Sequence, residues 1–147
     1  MAVNFTTYDG RCDSKTLNPR THADVMTLSQ GDVHPYEYSR VLGIFRVKVL
    51  HPSIRSKAQE VDVLWVRHYE FDEKYRAGWK AKWFYQVHFT SSADEDTFSF
   101  LDPQDVLHAV HLLPGFQYGH TQALLPKSFV RWKSEDDEDW MYYHVNM

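Results

Sequence analysis

The sequence predicts a mainly-β fold, a small antiparallel barrel or partly open sheet with short helices. Aromatic residues make up 16% of the 147 residues, and such side chains favour strands and large packed contacts. Short segments in which apolar and polar residues alternate recur along the chain, separated by turn-like sequences such as SSADEDT. No long amphipathic helical pattern is present, although a doubly wound α/β fold would require several.

The elements follow one another within one predicted domain that covers residues 1–147. The first 33 residues are polar and turn-rich, so we predict an irregular N-terminal arm containing one strand around 25–28. Gly43 lies inside an otherwise β-rich segment, which predicts a bulge or a close backbone approach. Asp102-Pro103 is a helix-start signal, and it predicts a helical turn before a later strand. We predict that strands at 40–50, 61–70 and 83–90 pair in one sheet. The other predicted elements are a strand at 98–102, a helical turn at 103–107, a strand at 108–113 and a last strand at 139–147.

Charge and cysteine content restrict the class of protein. The net charge of −4 argues against a general nucleic-acid binder, although cations between residues 40 and 90 leave a local basic surface open. The single Cys12 excludes an internal disulfide and a multi-cysteine metal site, and it suits a reducing compartment. The N-terminal sequence does not resemble a signal peptide, and no apolar stretch reaches the length of a membrane span. We therefore expect an intracellular protein, nuclear or cytoplasmic, with no membrane partner and no cofactor.

Several longer segments carry a family resemblance. NFTTYDGRCDSKTLNPRTHADVM, HPYEYSRVLGIFRVKV and FLDPQDVLHAVHLLPGFQYGHTQALLP resemble, in order and wording, a segment of large proteins encoded by fungal (basidiomycete-type) KDZ- or Plavaka-type transposable elements. The resemblance runs from about residue 4 to residue 147. In those proteins the transposase portion lies outside this segment. The resemblance therefore implies a relation to a transposable-element protein and carries over no phosphodiester chemistry.

A second resemblance concerns the order of three segments. YSRVLGIFRVKV, then VDVLWVRHYEF, then FSFLDPQDVLHAVHLLPGF is similar to the pattern of bromo-adjacent homology (BAH) domains. This resemblance implies a distorted β-barrel, BAH-like or SH3-like in character. It also implies a module that binds chromatin proteins.

The segment VDVLWVRHYEF, residues 61–71, contains four aromatic or imidazole side chains on a predicted strand. The preferred interpretation of Trp65 is a core residue, because a tryptophan in a half-buried strand usually packs inside. The alternative is an aromatic cage for a methylated lysine, since odd-numbered strand positions share a face and several rings can surround one cation. The rings considered for that cage are Trp65, Tyr69 and Phe71, with Trp79 or Trp83.

Two charged segments have alternative interpretations. In RAGWKAKWFYQ, cations alternate with rings, which is typical of a surface that stacks bases and contacts phosphates. The preferred interpretation is a strand edge protected by lysines. The residues concerned are Trp79, Lys80, Lys82 and Trp83. The acidic run at 135–139 predicts a solvated loop, and its functional alternative is a contact for a basic partner such as a histone tail.

Nine histidines raise the question of metal binding or catalysis. His108 and His111 are three residues apart, so they could bind one metal only if they lay on a helix. The predicted strand places them on opposite faces, and His120 follows nine residues later. A hydrolytic interpretation would use His88 or His111 as a base with one of four acids, yet no nucleophile motif accompanies them. The acids considered are Asp94, Asp96, Asp102 and Asp105. We therefore predict no catalytic residue and no metal ligand.

The sequence favours a non-catalytic binding module for a protein or peptide partner, with a histone tail as one such partner. One alternative is a small nuclease that uses histidine and acidic residues, with or without a metal. A second alternative is a nucleic-acid-binding module. The sequence does not determine the oligomeric state.

Overall fold

The computed structural model describes residues 2–6, 12–16, 19, 24–31, 33–50, 58–78, 81, 83–131 and 136–146, the first two ranges as backbone only. Within these ranges the chain forms twelve strands and three 3-10 helices of one turn each. The strands are β1 (Ala2–Thr6), β2 (Cys12–Thr16), β3 (Asp24–Leu28), β4 (Tyr36–Val49), β5 (Gln59–Phe71), β6 (Gln86–Phe89), β7 (Phe98–Leu101), β8 (Val106–Ala109), β9 (His111–Pro114), β10 (His120–Thr121), β11 (Asp139–Trp140) and β12 (Tyr143–Asn146). The 3-10 helices span Glu95–Thr97, Pro103–Asp105 and Phe116–Tyr118.

The main sheet is antiparallel and runs in the order β8-β3-β4-β5-β6-β12-β9, with β7 paired to β5 beside this path. The predicted mainly-β class is therefore confirmed. The prediction that 40–50, 61–70 and 83–90 pair within one sheet is also confirmed, because β4, β5 and β6 are successive neighbours. No helix in the described ranges has the length and apolarity needed to cross a bilayer.

Three details differ from the sequence predictions or extend them. The N-terminal arm contains an antiparallel hairpin, β1–β2, in addition to the expected strand, so the description as irregular with one strand is wrong. The turn at Pro103–Asp105 is shorter than predicted, and its strand begins at Val106 because Val106 already pairs with Thr27 of β3. The barrel stays a prediction, since β8 and β9 end the pairing path without pairing to each other.

The core consists of two clusters on opposite faces of the sheet. Neighbouring residues of β3 show the alternation: Val25 enters the first cluster and Met26 the second. The first cluster contains Val25, Val41, Leu64, Val66, Val106 and Ala109. The second contains Met26, Tyr38, Tyr69, Val87, Phe89, Leu112, Tyr143 and Val145. The strands β3, β4 and β5 thus contribute buried residues to both faces of the sheet.

The long hairpin of β4 and β5 bends where its register shifts, between Val41 and Gly43. A side chain at Gly43 would collide with the ring of Phe45, whose atoms lie 2.9 Å and 3.0 Å from the position of a Cβ. The sequence prediction of a bulge or close approach at Gly43 is therefore confirmed. A side chain at position 43 would therefore require the Phe45 ring to move.

A buried ion-pair network joins β5 to the C-terminal part of the chain. Arg67 Nη1 donates to both carboxylate oxygens of Asp139, at 3.2 Å and 3.0 Å. Arg131 donates to the same two oxygens at 2.6 Å and 2.9 Å, and its Nη2 also donates to the Leu125 carbonyl at 2.7 Å. All three charged side chains are almost fully buried. One carboxylate thus holds two guanidinium groups inside the protein.

Phe89 supports this network from β6. The guanidinium carbon of Arg67 lies 3.8 Å from the centroid of its ring, a cation–π contact. This contact matters because Arg67 Nε and Nη2 have no hydrogen-bond partner among the described residues. The prediction of a solvated loop at 135–139 is wrong at its last residue, because Asp139 is the carboxylate that these buried arginines need.

We expect the substitution Asp139→Ala to destabilise the protein by about 3–5 kcal/mol, because it leaves two buried guanidinium groups without their counter-ion. The matched control is Asp62→Ala, which removes the carboxylate of the exposed Arg46–Asp62 pair. Exposed pairs contribute little, so the control should keep the midpoint of the parent protein. Urea unfolding followed by tryptophan fluorescence measures both. Equal midpoints for the two variants would contradict the role given to Asp139.

Candidate functional site

A groove opens where β4 and β5 separate. Their pairing begins at Ser39 opposite His68 and continues away from the groove toward Val49 and Gln59. On the other side of that pair the two strands take different neighbours. Tyr36–Tyr38 of β4 pair with β3, whereas Tyr69–Phe71 of β5 pair with β6. The sheet is therefore forked at this point, and the groove follows the fork.

The groove has a volume of about 1200 Å³. It is larger than the ~300–1,000 Å³ typical of pockets for small ligands. Two tripeptides of similar pattern, Tyr36-Glu37-Tyr38 and Tyr69-Glu70-Phe71, stand on the two arms of the fork. Each places an exposed glutamate between two rings that are buried or half-buried, because neighbouring residues of a strand point to opposite sides.

Acidic side chains dominate the charge of the groove. Five carboxylates line it and all belong to exposed residues, while its described lining contains no lysine or arginine. The five are Glu37, Glu70, Glu73, Asp96 and Asp105. Glu37 is held in place because the Ser29 hydroxyl donates to its Oε1 at 2.9 Å. The surface of the groove therefore has a negative potential that attracts cations.

Rings form the wall beside these carboxylates. The His34 imidazole stacks on Phe71 with centroids 3.7 Å apart, and Tyr38 and Tyr85 meet Phe71 edge-on at 5.7 Å and 5.6 Å. Phe71 is thus surrounded by rings of the protein itself. Of these four rings, His34 and Phe71 line the groove, while Tyr38 and Tyr85 pack against Phe71 from behind that lining. Phe71 is thus packed, which differs from the separate rings of a methyl-lysine cage.

His68 lies between two serines at the floor of the fork. Its Nδ1 is 2.8 Å from the Ser39 hydroxyl and its Nε2 is 2.6 Å from the Ser99 hydroxyl. Burial lowers the pKa of His68 from the ordinary 6.5, an effect that the charges of Glu37 and Asp96 oppose. The imidazole is therefore neutral near pH 7, and it accepts a hydrogen bond on one nitrogen while donating on the other.

The structure separates the residues that the sequence suggested for a cage. Tyr69 is buried: its ring stacks on Phe89 at 4.2 Å and its hydroxyl donates to Asp24 Oδ1 at 3.0 Å, and burial raises its pKa well above 10.0. Trp65 is half-buried and belongs to neither core cluster, with Phe98 and Phe129 as ring neighbours at 6.1 Å and 6.5 Å. Among the suggested cage residues that the structure describes, Tyr69 and Phe71 line the groove, whereas Trp65 and Trp83 do not.

The remaining suggested residues lie elsewhere. Trp83 is exposed and lines a separate groove of about 400 Å³ together with Phe84 and Phe116. Trp79, Lys80 and Lys82 lie outside the described residues. The proposed stacking surface of RAGWKAKWFYQ is therefore represented in the structure only in part.

The histidines do not gather into a metal site in the described part of the chain. No group of three or more histidine, cysteine or acidic side chains there could hold an ion. His108 and His88 each have Nδ1 close to the carbonyl of the following residue, at 2.8 Å and 3.0 Å. The hydrogen bond described for His88 is therefore to the backbone. No hydrogen bond described for His88 or His111 joins either one to the acids that the hydrolytic interpretation paired with them.

Sequence reasoning missed the residues that give the groove its charge, above all Glu37 and Glu70. The signal was the repeated pattern aromatic–Glu–aromatic in two predicted strands. Two strands with the same pattern bring their glutamates to one site only when their ends meet at a fork. The register that places Ser39 opposite His68 is needed to see this.

We expect the free energy of unfolding to fall as the pH drops below 6.5, in part because of His68. Its pKa is lower in the folded state, so the unfolded chain takes up the proton first and the stability present above pH 6.5 is lost. His68→Gln, which cannot titrate, should show a shallower decline between about pH 7.5 and about pH 5 in urea unfolding. Identical slopes for the parent protein and His68→Gln would contradict the lowered pKa of His68.

The chain was compared with known proteins at three levels. No family model matches it, no curated protein matches it and no solved structure matches it. The function of the groove is therefore inferred from its own charges, rings and dimensions.

Proposed function

We propose that the protein is a non-catalytic binding module whose groove takes a peptide rich in lysine and arginine, such as a histone tail. The observation that carries this proposal is the charge of the groove: five exposed carboxylates line it, and its described lining has no lysine or arginine. An acidic surface of this kind attracts a cationic partner over a distance of about 10 Å at moderate salt. The same surface repels the phosphates of a nucleic acid.

The rings beside the carboxylates give the peptide a second type of contact. The stems of lysine and arginine are apolar, and they pack on rings while their charged ends reach outward. Tyr36 and Phe71 line the groove next to Glu37 and Glu70. Rings and carboxylates belong to the lining of the same groove, so a basic peptide has both kinds of contact within reach. An Arg over a ring adds about 0.5–1 kcal/mol at an exposed site.

The shape of the groove favours an extended chain over a compact ligand. It follows the fork between the two strands, and its volume of about 1200 Å³ exceeds that of an ordinary small-molecule pocket. Several residues of an extended peptide at ~3.3 Å each would be needed to reach both arms. A peptide of that length makes many weak contacts at once. Together these contacts give specificity, and no catalytic group is needed for it.

The family resemblances agree with this proposal. BAH domains bind chromatin proteins, and the similarity in segment order supports a chromatin partner in the nucleus for this chain as well. The barrel implied by that resemblance also has support, since β8 and β9 end the pairing path and are separated in the chain only by Val110. A relation to transposable-element proteins would place the module beside an enzyme that acts elsewhere in the larger protein.

The test is fluorescence anisotropy with a labelled Lys/Arg-rich histone-tail peptide. We expect saturable binding that weakens as salt rises, because the contacts are exposed ion pairs. The double variant Glu37→Gln/Glu70→Gln should bind about tenfold more weakly, if each lost ion pair contributes ~0.2–1 kcal/mol.

The matched control for this test is Glu60→Gln, which removes an exposed glutamate paired with Lys48 on the distal part of the β4–β5 hairpin. It should bind like the parent protein. A peptide of the same length with Glu in place of Lys and Arg should not bind. Equal affinity for both peptides, or tighter binding of a DNA duplex, would show that the groove is not a site for basic peptides.

A further inference from the structure

The distal half of the β4–β5 hairpin extends as a two-stranded ribbon, formed by residues 43–49 and 59–65. Residues directly opposite each other in an antiparallel pair share a face. One face carries the cross-strand ion pairs Arg46–Asp62 and Lys48–Glu60, with N–O distances of 2.8 Å and 3.6 Å. The other face carries the pairs Phe45–Val63 and Val47–Val61 and has no charged residue along these strands.

The apolar side of this ribbon continues onto β7 and a nearby loop. Phe100 of β7 stands opposite Trp65, so Phe100 is on the same face as the ribbon rings. Phe129 approaches Trp65 from the loop, with the two rings nearly parallel. Together these side chains make one continuous apolar surface, called here the ribbon face. Its members are Phe45, Val47, Val49, Val61, Val63, Trp65, Phe100 and Phe129.

Much of the ribbon face is exposed, although Val61, Val63 and Trp65 are half-buried. The exposed fractions are 47% for Phe45, 68% for Phe100 and 92% for Phe129, and Val49 is 48% exposed. With ~200 Å² for a fully exposed ring, the face presents roughly 600 Å² of apolar surface. That value lies at the upper limit of the largest apolar patch on ordinary monomers, ~300–600 Å².

We propose that the ribbon face is the interface of a homodimer in which two copies pack face to face about a two-fold axis. A two-fold interface uses the same patch twice, so the patch has to be complementary to itself. The ribbon face meets this condition, because none of the described residues that form it carries a charge that would repel its own copy.

A second copy fits this surface better than a charged partner. The basic peptide proposed for the groove would find no carboxylate on the ribbon face, since the acids of the ribbon, Asp62 and Glu60, stand on the opposite face in ion pairs. The area agrees as well. A stable interface buries ~800 Å² per partner, and roughly 600 Å² of apolar surface provides most of that area before the polar rim is added.

The dimer is tested by sedimentation velocity over a concentration series of the full chain. We expect the parent protein to dimerise in the micromolar range. Phe100→Asp should raise the dissociation constant by more than about 30-fold, because the charge is buried on both copies and central aromatic residues dominate such interfaces. Val49→Asp places the same charge on β4, in the β4–β5 pair, and should have the same effect.

Folding of the variants is checked by circular dichroism, and a matched control is Phe116→Asp, a phenylalanine 72% exposed on a different surface. The control should dimerise like the parent protein. A parent protein that stays monomeric at roughly 100 μM, or a dimer that survives both ribbon substitutions, would overturn the proposal. Loss of the dimer only in Phe116→Asp would place the interface elsewhere and overturn it too.

Discussion

The arrangement of the fold depends on Phe89, whose ring contacts two guanidinium groups, the buried one of Arg67 and the half-buried one of Arg40. Arg67 lies 3.8 Å and Arg40 lies 5.0 Å from the centroid of this ring. Each guanidinium is tied to a carboxylate from a different part of the chain, Arg67 to Asp139 and Arg40 to Asp24. The ring therefore packs against two positive charges. Strands β3, β4, β5 and β6 and the C-terminal segment all meet at this point.

This arrangement explains why β5 has such different surroundings along its length. Its odd-numbered residues pass from the exposed ribbon at Val63 and Trp65 to the buried network at Arg67 and then to Tyr69. Phe129, two residues before Arg131 of that network, lies near the half-buried Trp65. The even-numbered residues instead enter the first core cluster and end at His68 in the fork. One strand thus connects the two surfaces for which binding is proposed.

The sequence was sufficient to predict the features that local pattern controls. Alternation identified β4, β5 and β6 and their pairing, and a lone glycine in a β-rich segment predicted the bulge at Gly43. Features that depend on distant partners were not predictable. Asp139 sits in an acidic run that resembles a solvated loop, and only the positions of Arg67 and Arg131 show why it is buried. Glu37 and Glu70 likewise become neighbours of one groove only through the strand register.

The distance along the chain between Arg67 and Asp139 bears on the order of folding. The two residues are 72 positions apart, whereas β4 and β5 belong to one continuous hairpin. Contacts between distant residues form late, because a long loop has to close before they give any stabilisation. We expect the hairpin to be protected from hydrogen exchange early in refolding and the C-terminal strands only later. Until Asp139 is in place, the Arg67 side chain has to remain hydrated, so we expect this ion pair to form among the last contacts of the sheet.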